Sequence, residues 1–480
     1  MINNTVRELS ELIGARAVVD GAAPEPAALD AQVTDLVYDS RTARPGSLFV
    51  AFPGERVDGH DYAGTAWAAG AVAAITSRPV PGGLCLVVDD PQAAMGVIGQ
   101  HVIRIAQQTG LTVLGITGSA GKTTTKDLLA QLLERNGTVV APRGSMNNEI
   151  GLPVTASWVT ADTDYLIAEM GAKGIGHIRY LCQITPPDIG LELNVGVAHL
   201  GKFGSQDAIA TAKAELVEAL PADGRAVLNA GDPRVWRMAE RTSAPVLSYG
   251  VEGEDLPEGL TPDVYATGLA PDELDRWSFS LLIDGRRHPV RLRLLGRHQV
   301  GNAVAAAAAA YTVGVPAELI AEVLSTAGIR SRWRMELHEL PGDVVLINDA
   351  YNANPASMQA ALSTLAEIGR RRSTTRPQAR TIAVLGEMLE LGQESDELHR
   401  GVGQAAAELG ISELIVVGDG AALIADGAQS GASTPGTVRQ VPDKQSVVAA
   451  LGVLRPGDAV LIKASRDVGL ESLGDQLLAG

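Results

Sequence analysis

The stretch LTVLGITGSAGKTTTKDLLAQLLER, residues 111–135, decides the fold of this chain. Leu111 to Thr117 is mostly apolar and reads as a buried strand. From Thr123 to Arg135 the leucines at 128, 129, 132 and 133 recur at helical spacing, and Asn136-Gly137 stops the helix. Between them lies Gly118-Ser119-Ala120-Gly121-Lys122-Thr123-Thr124. A strand, a glycine-rich turn and a helix in this order form a phosphate cradle. Glycines let the backbone approach closely, amides at the helix N-terminus bind oxygens, Lys122 neutralises charge, and the Thr123 hydroxyl can reach Mg²⁺. The general P-loop pattern has a further glycine five residues before Gly121, where this chain has Ile116, so only the inner G-x-x-G-K-T-T is present.

A phosphate site of this kind needs a metal, so ligands are expected at the ends of neighbouring strands. Glu169 follows the apolar run Tyr165 to Ala168, and His199 closes a second strand, Leu193 to Val197 and its continuation. Lys213 lies on a helix from Asp207 to Ala219, and its spacing alone predicts a solvent-facing side chain.

Outward from this centre, 480 residues predict about three domains at roughly 150 residues each. Apolar residues make up 46% of the chain and aromatics only 4%, so the cores must be aliphatic, and α/β layers are favoured over a β-sandwich. Before residue 109, short strands alternate with Ala-rich helices in a small α/β unit. From Val344 onward strand and helix alternate repeatedly, which predicts a Rossmann-like parallel sheet. Arg370, Arg371, Arg372, Arg376 and Arg380, with Pro377, read as a solvated basic loop between two of these elements.

The net charge of −17 repels polyanions over the surface as a whole, so nucleic acid is not expected as a partner. Two cysteines, Cys85 and Cys182, fit a reduced compartment. The opening residues MINNTVRELSELIG show no basic-then-apolar leader pattern, and the Ala-rich run 303–310 is far shorter than the ~20 residues of a span. A cytoplasmic chain without a membrane span is expected, and nothing in it demands more than a monomer.

Seven ordered motifs carry a family resemblance. They are GSAGKTTT at 118–125, SMNNEIGLP at 145–153, EMG at 169–171, NVGVAHL at 194–200, AKAE at 212–215, NDAYNANP at 348–355 and LGEMLELG at 385–392. The chain resembles the Mur ligases over almost its whole length. The resemblance implies three α/β domains: 1–108 for a UDP-linked substrate, 109–328 for ATP, and 329–480 for the incoming amine and closure. It implies that Gly118 to Thr124 cradle ATP phosphates, that Thr123, Glu169 and His199 ligate Mg²⁺, and that Lys213 joins them if it is carbamylated. Lys122, Lys213 and His199 would then form the catalytic group. Asn302 would read the adenine, with Asn229 in a stretch resembling the other adenine contact. Arg334 and Asp349 would close over the γ-phosphate and ribose, Ser40 and Arg41 would lie near the UDP-sugar, and Asn147 and Asn148 near the substrate. Within the family, Asn352-Ala353-Asn354-Pro355 with Gly386-Glu387-Met388 points to the member that joins D-alanyl-D-alanine to UDP-MurNAc-tripeptide. The rivals are a folylpolyglutamate synthetase, the ligase that adds the third peptide residue, and a P-loop nucleotide switch. Two departures stand out: Gly190-Leu191-Glu192 replaces a more apolar strand, and Gly231 stands where a second Asp is common.

Overall fold

The computed structural model describes residues 1, 4–54, 57–196, 203–430 and 436–479. The strand Thr112–Thr117 runs through the interior of the largest sheet, between Tyr165–Glu169 and Ile189–Glu192, both parallel to it. Beyond Ile189–Glu192 the sheet continues in parallel through Arg225–Asn229, Val246–Val251 and Val264–Pro271. It ends in an antiparallel meander with Arg276–Ile283 and Arg286–Leu295. On the other side it is edged by Val139–Val140. Among the described residues two further main sheets form. One, near the N-terminus, has five strands in the order Arg16–Val19, Leu84–Val87, Ala73–Thr76, Ser47–Val50, Asp35–Val37. The other has six, in the order Glu336–Leu340, Val344–Asn348, Ala459–Lys463, Thr381–Leu385, Glu413–Val417, Thr437–Val441. Parallel neighbours need crossover connections, and the helices that supply them cover both faces. The chain is thus α/β throughout.

Small side chains set the spacing of the central layer. The helix His298–Thr312 buries every residue from Ala303 to Ala310 and packs on the P-loop helix Lys122–Leu133, with Leu128, Leu129 and Leu132 filling the space between helix and sheet. On the opposite face the helix Gln206–Glu218 comes close to the sheet, and a Cβ on Gly190 would stand 3.2 Å from Leu216 Cγ. This approach fixes what lies one step further along both elements. Strand residues alternate faces, and residues three apart share a helix face. Two residues after Gly190 is Glu192, and one turn before Leu216 is Lys213, so these two charged side chains face each other inside the fold.

Two expectations from the sequence are corrected here. The predicted strand Leu193 to Val197 is instead Ile189–Glu192. Leu193 N still donates to Thr117 O at 3.1 Å, and the chain leaves the ladder after it, where Asn194 turns to the P-loop: its Oδ1 accepts from Ala120 N at 2.9 Å and its Nδ2 donates to Ala120 O at 3.1 Å. The arginines at 370–380 are not a solvated loop. Arg370 to Arg372 complete the helix Pro355–Arg372, and Arg372 is buried, donating to Gly457 O and to Asp343. Arg380 donates to both Asp458 and Glu413. Glu367, on the same helix face, pairs with Arg370 and Arg371, while Asp343, Glu413 and Asp458, far away in sequence, neutralise Arg372, Arg376 and Arg380.

Candidate active site

The P-loop begins where the central strand ends. Gly121 precedes the helix with φ +85°, a left-handed conformation that glycine adopts without penalty, and a Cβ there would clash with Asn302 Oδ1. The helix therefore starts at Lys122 with its amides directed at the loop. The Lys122 ammonium donates back to Gly118 O at 2.7 Å. Burial pushes its pKa down, while the nearby Glu169 and Glu192 carboxylates oppose that shift.

Thr123 and Glu169 meet beside the loop. Thr123 Oγ1 donates to Glu169 Oε2 at 2.9 Å, and Glu169 Oε1 accepts from Ser145 Oγ at 2.9 Å and from Asn147 Nδ2 at 2.8 Å. Hydroxyls, an amide and one carboxylate are hard oxygen donors of the kind that suit Mg²⁺ held partly by phosphate and water. His199, expected to complete this set, lies outside the described residues. Among the described residues no cluster of three acidic, His or Cys side chains is placed to hold a metal unaided.

The third sheet closes the cradle. Arg334 sits between two residues of left-handed backbone, Trp333 at φ +59° and Met335 at φ +52°. Its guanidinium lies 4.2 Å above the Tyr351 ring and donates to Ser145 Oγ at 3.3 Å. Asp349 accepts from Met335 N at 3.0 Å and pairs with the buried Lys463 ammonium at 2.5 Å. Together with Ser119 to Thr124, Asn147, Asn302 and Asn354 they line a cavity of about 290 Å³.

A second cavity of about 190 Å³ adjoins it and shares Ser119, Lys122 and Asn147 as a common wall. It is lined as well by Asn148, Lys173, Lys213 and Glu390. Lys213 is only 4% exposed, so the solvent-facing reading of its spacing does not hold. Burial and the Lys122 charge lower its pKa to about 7. Glu192, opposite it, is fully buried; neither carboxylate oxygen has a hydrogen-bond partner, and burial raises its pKa well above the usual range.

Other expected residues have different surroundings. Asn302 lies under Gly121 and donates to Gln299 Oε1 at 2.8 Å. Asn229 is occupied by backbone, donating to Leu193 O and accepting from Gly231 N, each at 2.9 Å. Ser40 is buried, and Arg41 is bound to Asp39 at 2.7 Å. Their neighbours Tyr38, Asp39 and Thr42 instead line a cavity of about 470 Å³ with Met146 and Trp158 of the central unit. Asn148 Oδ1 accepts from the backbone of Gly151, the first residue of the helix Gly151–Ser157, at 2.8 Å. Sequence reasoning passed over Ser145 and Tyr351, although both stand in the quoted motifs, and used Asn354 only to choose among family members. Lys463 and Glu192 stand in none.

A P-loop whose phosphate cradle is closed by a separate α/β unit defines a class of multi-domain nucleotide-dependent enzymes. Comparison with known proteins narrows the class. Residues 32–117 match the catalytic-domain model of the Mur ligase family, 116–310 the Mur ligase middle domain, and 333–466 the Mur ligase glutamate ligase domain. The chain belongs to the Mur ligase family. It is 43% identical to the UDP-N-acetylmuramoyl-tripeptide--D-alanyl-D-alanine ligase of Mycobacterium tuberculosis, covering 100% of this chain and 98% of the relative. The crystal structure of MurF from Acinetobacter baumannii superimposes with a TM-score of 0.82 at 28% identity, covering 100% and 99% of the two chains. The MurF ligase from Thermotoga maritima in complex with ADP gives 0.76 at 27% identity, covering 93% and 97%.

Proposed function

We propose that this chain is an ATP-dependent amide ligase that joins D-alanyl-D-alanine to UDP-N-acetylmuramoyl-tripeptide, making the pentapeptide precursor of peptidoglycan in the cytoplasm. The observation that carries this reading is the wall shared by the two cavities. Lys122 borders both, so a terminal phosphoryl group in the first lies beside a carboxylate in the second. The full-length identity to ligases of this name supports the choice of substrates.

The chemistry follows from that placement. ATP phosphorylates the terminal carboxylate of the tripeptide, and the amine of the dipeptide attacks the acyl phosphate. Phosphate then leaves a tetrahedral intermediate. Lys122 neutralises charge that develops on the transferring phosphoryl oxygens, the largest kind of term in such reactions. Bringing acyl phosphate and amine together is an orientation effect of ~7–11 kcal/mol, and the third unit supplies it by closing over the cradle. Thr123 and Glu169 fit Mg²⁺, which supplies charge neutralisation at the phosphates when bound. Lys213 is the remaining candidate for a metal ligand, as a carbamate, with His199.

Residues 1–108 bind the UDP-linked substrate, 109–328 the nucleotide, and 329–480 the incoming amine. The large cavity beside Tyr38 and Trp158 suits the UDP end, since exposed aromatic faces stack on a base. The enzyme acts as a monomer. The test is phosphate release from Mg-ATP with UDP-MurNAc-tripeptide and a panel of acceptors. Release should require D-alanyl-D-alanine; release with glutamate, diaminopimelate or lysine instead would reassign the chain within its family.

A further inference from the structure

The motif at 385–392 is the part of the sequence pattern that the reaction described above leaves without a role. Its backbone is held firmly. Leu389 N donates to Ser465 Oγ at 2.9 Å, and the buried Met388 N donates to His399 Nε2 at 3.0 Å. From these two fixed points the chain turns at Glu390 with φ +63°, in the left-handed region that a non-glycine residue seldom adopts. Such conformations persist only where the surroundings dictate them, and they gather at ligand sites.

The turn brings Glu390 to the second cavity, where among the described residues it is the one lining residue supplied by the C-terminal unit. The rest of that wall is basic or neutral. Apart from Lys213, taken above as a metal ligand, Lys122 and Lys173 supply two amines, and Glu390 is the one side-chain carboxylate among the described lining residues. These lysines suit a carboxylate, an acyl phosphate and the departing phosphate. None of them suits the second reactant, whose reacting group enters as an ammonium.

We propose that Glu390 binds the ammonium group of the incoming dipeptide and holds it over the activated carboxyl carbon. This rests on the ligase reading above and adds the recognition element for the nucleophile. A carboxylate–ammonium contact is short and charge-assisted, so it discriminates a free amine from a blocked one. It also explains why the carboxylate stands on the closing unit: the acceptor's anchor is complete only when that unit covers the cradle.

The test uses Glu390→Gln, which keeps size and backbone demands, and Glu390→Gly, which suits the left-handed conformation and removes the side chain. In the full enzyme, both should raise KM for D-alanyl-D-alanine about tenfold or more, the loss of one charge-assisted contact, with KM for ATP and UDP-MurNAc-tripeptide nearly unchanged. Acyl phosphate trapped as hydroxamate by hydroxylamine, in the absence of dipeptide, should form at the wild-type rate. Wild-type protein should prefer D-alanyl-D-alanine over its N-acetyl derivative as a ligand, and the preference should collapse in both variants. Unchanged dipeptide KM, or a preference for the free amine that survives in both variants, overturns the anchor. A wild-type enzyme that traps no hydroxamate contradicts the ligase reading itself, and the anchor with it.

Discussion

Thr123 Oγ1 and Glu169 Oε2 lie 2.9 Å apart, joining the first turn of the P-loop helix to the end of the adjacent parallel strand. The bond exists because Tyr165–Glu169 pairs in register with Thr112–Thr117, which carries the loop. Replacing Glu169 by Gln should leave the fold intact, since the amide oxygen still accepts from Thr123 and the Ser145 hydroxyl can turn to accept from the amide NH2, but it removes the negative charge. The Mg²⁺ concentration for half-maximal activity should rise about tenfold or more, read from a magnesium titration at saturating ATP.

Lys122→Ala should reduce turnover by about 10²–10³-fold, the scale for removing one preorganised charge at a developing anion. The melting temperature should change little, because the buried amine loses only a bond to Gly118 O. A variant that kept full turnover would remove the phosphate-binding role of the loop.

Lys463 and Asp349 test closure from the opposite side. The Lys463 ammonium is buried, and its partner carboxylate is mostly so. Removing one member of a buried pair strands the other, so Lys463→Met should destabilise the protein by about 3–5 kcal/mol. Chemical denaturation of Lys463→Met with Asp349→Asn should show a double variant less damaged than the sum of the singles.

Glu192 is a liability that can be measured. A buried carboxyl without partners costs about 1–3 kcal/mol, so Glu192→Val should stabilise the protein by that order. The pH dependence has a definite sign. Glu192 has its folded pKa raised above 4.5, so above that pH the folded state keeps a proton that the unfolded chain releases, and stability falls as pH rises toward the folded value. Lys213 acts the other way between about 7 and 10.5, where the unfolded chain holds the extra proton and stability rises with pH. Glu192→Val should abolish the falling limb in a series of melts and extend the rising one to lower pH, because the Glu192 charge holds the Lys213 pKa up.

Much of this was legible in the sequence because the P-loop signals are local. Strand, glycine turn and leucine-spaced helix read directly, and so did Glu169, a strand end beside a cradle. Burial was not legible where it depends on what crosses over the sheet. Lys213 has the spacing of a surface lysine, and only the close approach of Leu216 to Gly190 turns it inward. Arg372, Arg376 and Arg380 read as solvated because their carboxylates, Asp343, Glu413 and Asp458, lie on other strands or their turns, whereas the Glu367 partner of Arg370 and Arg371 stands at helical spacing. Lys463 ends a strand in no motif, and its role appears only once the fold brings it to Asp349 and Asn352 O at the edge of the first cavity.

For Lys213 the expected outcome is chemical rescue. Lys213→Ala should lose activity and recover part of it in short-chain carboxylates, which supply the charge that a carbamate would carry. Chloride at equal ionic strength should restore nothing.

The central claim is that ATP cleavage is coupled to amide formation between these two substrates. The most direct measurement is the mass of the UDP-linked product together with the phosphate released from Mg-ATP. The account predicts the tripeptide's mass plus one dehydrated D-alanyl-D-alanine, with one phosphate per amide. Phosphate release that ignores both peptides, with no gain in mass, would contradict it.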